Sequence, residues 1–118
     1  MAIQDIRERT LEFAVRIIKL CQHLDAKPGV PRTLSNQLLK AGTSVGANVE
    51  EAQGGQSKAD FISKNAIALK EARESHFWLR LLVAANILPE KDVSELRDEA
   101  DQIKRILGSI VVTARKRS

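Results

Sequence analysis

Tyrosine is absent from this 118-residue chain, and three phenylalanines and one tryptophan are its only aromatics. A core built from it must be aliphatic, and extensive base stacking on aromatic rings is not expected as a binding mode. The single cysteine, Cys21, excludes an intramolecular disulfide framework and a cysteine-based zinc cluster, and a reduced, cytoplasmic setting is expected. Glycine (six) and proline (three) are few and mostly clustered, which leaves long uninterrupted stretches suited to helices. Long apolar runs are also missing. The stretch from Leu79 to Ile87 is broken by Arg80 and Asn86, far short of a membrane span. Asp5, Arg7 and Glu8 leave no room for a signal peptide at the amino terminus.

Catalytic signatures are missing too. The HExxH, P-loop and dinucleotide-binding patterns do not occur. A di-iron bundle site needs Glu three residues before His, whereas His23 follows Leu20 and His76 follows Arg73 at that spacing. No catalytic residue, cofactor or metal is expected, and the chain reads as a non-enzyme. Net charge is +4, from 19 basic and 15 acidic side chains, compatible with nucleic acid but not diagnostic of it.

What is present is a globular composition, 43% hydrophobic and 29% charged, sized for one domain over residues 1–118. Apolar side chains recur at alternating spacings of three and four, which predicts helices at about 3–26, 32–53, 58–86 and 90–116. The first carries Ile6, Thr10, Phe13, Ile17, Leu20 and Leu24, with Leu11, Ala14, Ile18 and Cys21 widening its apolar face. Lys27-Pro28-Gly29-Val30-Pro31 ends it. The second turns Leu34, Leu38, Ala41, Val45 and Val49 or Ala52 inward. The third has Phe61, Ala68, Ala72, Leu79 and Leu82, interrupted by Asn65 and Ser75. The fourth has Val93, Leu96, Ala100, Ile103, Leu107, Ile110 and Ala114. Short loops between four long helices imply an all-α, antiparallel up-down-up-down four-helix bundle.

The second helix holds the most informative stretch, Ser44-Val45-Gly46-Ala47-Asn48-Val49-Glu50-Glu51-Ala52. Gly42 and Gly46 share a face, and each costs about 1 kcal/mol against alanine in a helix interior, so a close neighbour is expected there. Ser44, Asn48 and Glu51 draw a polar stripe at i, i+4 and i+7. On the third helix Glu71, Glu74 and Trp78 share a face, and for the basic side chains around them a solvated surface is the plainest reading. The two carboxylates are expected to meet the polar stripe, with Ser44 and Asn48 donating and Arg80 as counter-charge, because buried carboxylates need partners. Ser44, Gly46, Asn48, Glu51, Glu71, Glu74, Trp78 and Arg80 thus form the expected polar interface, within the bundle or between copies. Ile18, Leu39, Ile62, Val83, Ile87, Ile106 and Val112 lie off the main seams, an apolar excess that predicts a homo-oligomer.

The words Ser44 to Glu51, Ala68-Leu69-Lys70-Glu71-Ala72-Arg73-Glu74 and Trp78-Leu79-Arg80-Leu81-Leu82 together resemble the bacterial four helix bundle protein family. Its founding members are encoded within intervening sequences of 23S rRNA genes. The resemblance covers nearly the whole chain, although Ala52 stands where the family pattern usually has glycine. It implies a homo-oligomer, typically a pentamer, similar to the accessory variability determinant protein of diversity-generating retroelements, a basic bundle that binds nucleic acid. It implies no catalytic activity. The resulting expectation is an oligomeric module that binds RNA or an RNA-binding protein, and no membrane, through Lys104, Arg105, Arg115, Lys116 and Arg117. The alternative is a protein-protein scaffold without nucleic-acid contact.

Overall fold

Four helices account for 87% of the described residues, 5–117, in a computed structural model. They are α1 (Ile6–Asp25), α2 (Val30–Gln53), α3 (Lys58–Ala84) and α4 (Glu90–Lys116), and there is no strand among the described residues. Consecutive helices pack antiparallel along their lengths, whereas α1 and α4 close the bundle at fewer points. The fold is the expected four-helix bundle.

Local chemistry sets the helix ends. The Asp5 side chain accepts a hydrogen bond from the Arg7 backbone N–H at 2.8 Å, capping α1. The first turn expected from Ile3 lies outside the described residues. Gly29, at φ +92°, takes a backbone conformation that side chains disfavour, and α2 begins directly after it. That start precedes the expected one near Arg32, because Pro31 fits a first turn, where its missing N–H has no intrahelical acceptor to lose. The Ser57 hydroxyl accepts from the Asp60 N–H at 3.0 Å and opens α3. That helix stops at Ala84 rather than near residue 86, since Asn86 turns to φ 60°. The Leu88 N–H then donates to the Leu82 carbonyl, and Leu88 folds into the core.

The interior is aliphatic: Ile17, Leu38, Val45, Leu79, Ile103 and Leu107 are fully buried around Phe13. α1 and α2 approach most intimately where the glycines lie. A Cβ on Gly42 would stand 2.8 Å from two carbons of the Ile17 side chain, and one on Gly46 would stand 3.3 Å from the Thr10 carbonyl oxygen. A turn further along, the Ser35 hydroxyl donates to the Cys21 carbonyl (3.2 Å) while the Cys21 thiol donates to the Ser35 carbonyl (3.4 Å). Burial pushes that thiol up from its ordinary value, so it behaves as a small core side chain. Buried Asn65 and Ser75 on α3 donate back to the carbonyls of Phe61 and Glu71 in their own helix.

Two expected stripes shift. On α1, Leu11 (59% exposed) and Ile18 (39%) do not widen the core face. At about 100° per residue, Leu11 and Ile18 stand roughly a quarter-turn away from the Thr10–Ile17–Leu24 line. On α4 the buried row ends in Val111, while Ile110 and Ala114 are only half-buried. α4 has 27 residues against 20 in α1, so its last turns outrun the helix that covers them higher up. The α1–α4 seam is tied by Arg9, whose guanidinium donates to both Glu99 carboxylate oxygens (2.7 and 2.9 Å) and to Gln102.

Gly42 supplies a direct test. Alanine gains about 1 kcal/mol of helix propensity, but overpacking a filled core costs about 1–3 kcal/mol. Gly42→Ala should lower the thermal midpoint, because Ile17 is branched at the crowded carbon and fully enclosed. A raised midpoint would mean that α1 yields at no cost.

Candidate functional site

The polar stripe of α2 does not meet the carboxylates of α3 as expected. The Asn48 amide donates to the Ser44 carbonyl at 2.8 Å, a bond within α2 that turns the amide onto its own helix rather than towards Glu71. Glu51 is exposed and reaches across to Lys64 of α3 at 3.7 Å. Glu71 is half-buried, but Glu74 and Arg80 are exposed. Among the described residues no hydrogen bond or ion pair links either carboxylate to Ser44, Asn48 or Arg80. Sequence reasoning placed these groups on the right helices but could not see that the amide is satisfied locally.

Glu71 is therefore a carboxylate under strain. Burial, and then the neighbouring Glu74, raise its pKa above the ordinary 4.5, while Lys70 and Lys40 only partly offset this. The folded protein thus holds the Glu71 proton more tightly than the unfolded chain. Its favourable contribution is complete below about pH 4.5 and is lost as pH rises through the raised folded value. Glu71→Gln should accordingly raise the thermal midpoint at neutral pH, and the gain should shrink as pH falls through the carboxylate range. Glu95→Gln, at a highly exposed position, should show neither effect. A neutral-pH loss of stability in Glu71→Gln would instead reveal a partner for the ionised carboxylate.

Around the other aromatics the structure is plain. Trp78 is half-buried against the core, and half-exposed Phe77 meets it edge-on, with ring centroids 5.1 Å apart. His76 faces α4, where burial, and then the positive charge of Lys104, lower its pKa. Gly46 belongs to the α1 contact rather than to the polar face. Among the described residues no group of three or more His, Cys, Asp or Glu is arranged to hold a metal ion, and no helix is long and apolar enough to cross a membrane.

The five candidate cations divide into two sets. Asp101 binds Lys104 at 3.1 Å and Arg105 at 3.0 Å, which holds its carboxyl below the ordinary carboxylate range and takes much of the charge of that pair. Arg115, Lys116 and Arg117 are exposed and form no ion pair among the described residues. Exposed Lys58, at the start of α3, lies at the same end and lines a groove with Arg117. The groove, about 660 Å³, is walled by Phe61, Ile106, Ile110 and Ala114. Neither the groove nor Lys58 was singled out from the sequence as part of a site. The unequal lengths of α1 and α4 are the signal that would have found them.

The family model for 23S rRNA-intervening sequence proteins matches residues 4–109. The chain belongs to that family. It is similar to the crystal structure of a protein of unknown function from the S23 ribosomal protein family of Bacteroides thetaiotaomicron, at 39% identity. The two superpose with a TM-score of 0.84, over 91% of this chain and 98% of the other. Among curated proteins, none matches this chain. The family assignment agrees with the resemblance carried by the Ser44–Glu51 and Ala68–Glu74 stretches, and no enzymatic family is indicated.

Proposed function

We propose that this protein is a non-enzymatic, cytoplasmic, homo-oligomeric module that binds RNA through the basic end of α4. The observation that carries this reading is the trio Arg115, Lys116 and Arg117, without an ion pair among the described residues and joined at the same end of the bundle by Lys58. Every other dense basic group considered above has a carboxylate beside it. A single copy at +4 is weakly charged, but repetition of the basic end in an assembly, with five copies expected, multiplies the phosphate contacts. Avidity of this kind exceeds single-site affinity by about 10²–10⁴. Recognition is then of the backbone, with little base selectivity.

The exposed apolar stripe of α1 favours self-association in either case, so a pure protein-protein scaffold is the competing reading. Replacing Arg115, Lys116 and Arg117 with Ser tests the difference. Binding to mixed single-stranded RNA should fall with rising salt at a log-log slope of about −0.7 per phosphate contact. The triple variant should flatten that slope without changing the molar mass of the assembly. If the intact protein binds no RNA at low salt, the scaffold reading replaces this one.

A further inference from the structure

We infer that the groove between the start of α3 and the end of α4 receives α1 of a second copy, head to tail. This deepens, and rests on, the homo-oligomer reading above by naming the two surfaces that meet. The groove is a bundle interior left open. On α4 the row that faces α1 runs through Glu99 and Gln102, both held by Arg9. Continued along the same side of the helix, this row becomes Ile106, Ile110 and Thr113, which line the groove together with Phe61 of α3. α1 begins at Ile6, so no helix among the described residues covers this apolar row. The missing neighbour is a helix with an apolar face, and the chain carries one unpaired.

Leu11, Val15 and Ile18 stand 59%, 43% and 39% exposed on α1, spaced four and three apart along one line. They span about 10 Å of helix, and the groove runs about 16 Å along α4 from Ile106 to Arg117. The charges match as well. Glu8 and Glu12 border the Leu11–Val15 part of the stripe, with Lys19 beside its far end, while Lys58 and Arg117 border the groove. Neither these two carboxylates nor these two groove cations are ion-paired among the described residues, so the acidic end of the stripe is the part that faces them. The two surfaces lie on different sides of the molecule. Leu11 borders α2, near Thr43 and Ala47, whereas the groove is lined by α3 and the end of α4. A contact between unlike patches is heterologous, so it propagates from copy to copy and closes into a ring when the rotation permits.

Heterologous docking has a signature that like-on-like pairing lacks. A stripe variant, Leu11→Glu with Val15→Glu, keeps its groove; a groove variant, Thr113→Glu with Ile110→Asp, keeps its stripe. Light scattering on each alone should give the mass of one chain, and a mixture should give a one-to-one complex of two. Should Ile110→Asp unfold the bundle by circular dichroism, Thr113→Glu alone, at an exposed position, serves as the groove variant. Variants that assemble like the wild type, or a mixture that stays monomeric, overturn the docking while an oligomeric wild type keeps the homo-oligomer reading. A wild type that is itself monomeric overturns both.

Discussion

The bundle depends on how closely α1 can lie against α2. Ile17 occupies the volume that a side chain at position 42 would need, and the Thr10 backbone lies against Gly46. Two glycines inside a 24-residue helix are unfavourable to α2 taken alone, at about 1 kcal/mol each. They are retained in the fold because the approach they permit brings Cys21 and Ser35 within reciprocal hydrogen-bonding distance. It also lets Phe13 and Ile17 fill a core that has no other large aromatic side chain fully enclosed. An aliphatic core of modest side chains gains its stability from density, so helix separation is the quantity such a sequence must control.

The same constraint explains which polar groups became functional candidates and which did not. With α2 drawn towards α1, Asn48 folds its amide onto its own helix and leaves Glu71 to face Glu74. Buried Asn65 and Ser75 follow the same rule, donating to carbonyls of α3. These amide and hydroxyl donors thus turn onto their own helices, while the buried Asn65 side-chain oxygen has no partner among the described residues. Apart from the buried Cys21–Ser35 pair between α1 and α2, the side chains that tie one helix to another are ionic, as in Arg9 to Glu99 and Lys64 to Glu51.

Much of the fold was legible because it depends on periodicity. Leu38, Val45 and Val49 on α2, or Val93 through Leu107 on α4, repeat at helical spacing and are buried. The glycine pair was legible as a close approach, since nothing else makes glycine sensible there. The α1 stripe was misread for a physical reason. Leu11 and Ile18 sit beside Thr10 and Ile17, and hydrophobicity alone does not say whether the flank of a seam meets a neighbouring helix or solvent. Pairings between charges were hidden as well, because Glu99 and Arg9 lie 90 positions apart and no local pattern joins them. By contrast, the compensation of Lys104 and Arg105 by Asp101 is an i, i+3 and i, i+4 arrangement that is visible in sequence.

The mismatch between α1 and α4 links the remaining features. Had the two helices ended level, Ile106 and Ile110 would be core residues and the basic tail would cap a closed bundle. Because α4 runs on, an apolar wall and three cations without an ion pair among the described residues occupy one end of the molecule. An apolar partner surface there would take Arg117 towards its own carboxylates. Arg115 and Lys116 lie outside the groove lining and stay available to phosphate. Assembly and anion binding therefore share Arg117 and Lys58 but not Arg115 and Lys116. Were copies to assemble as proposed above, the same basic end would recur on each, and self-association would supply a charge density that an isolated bundle at +4 lacks.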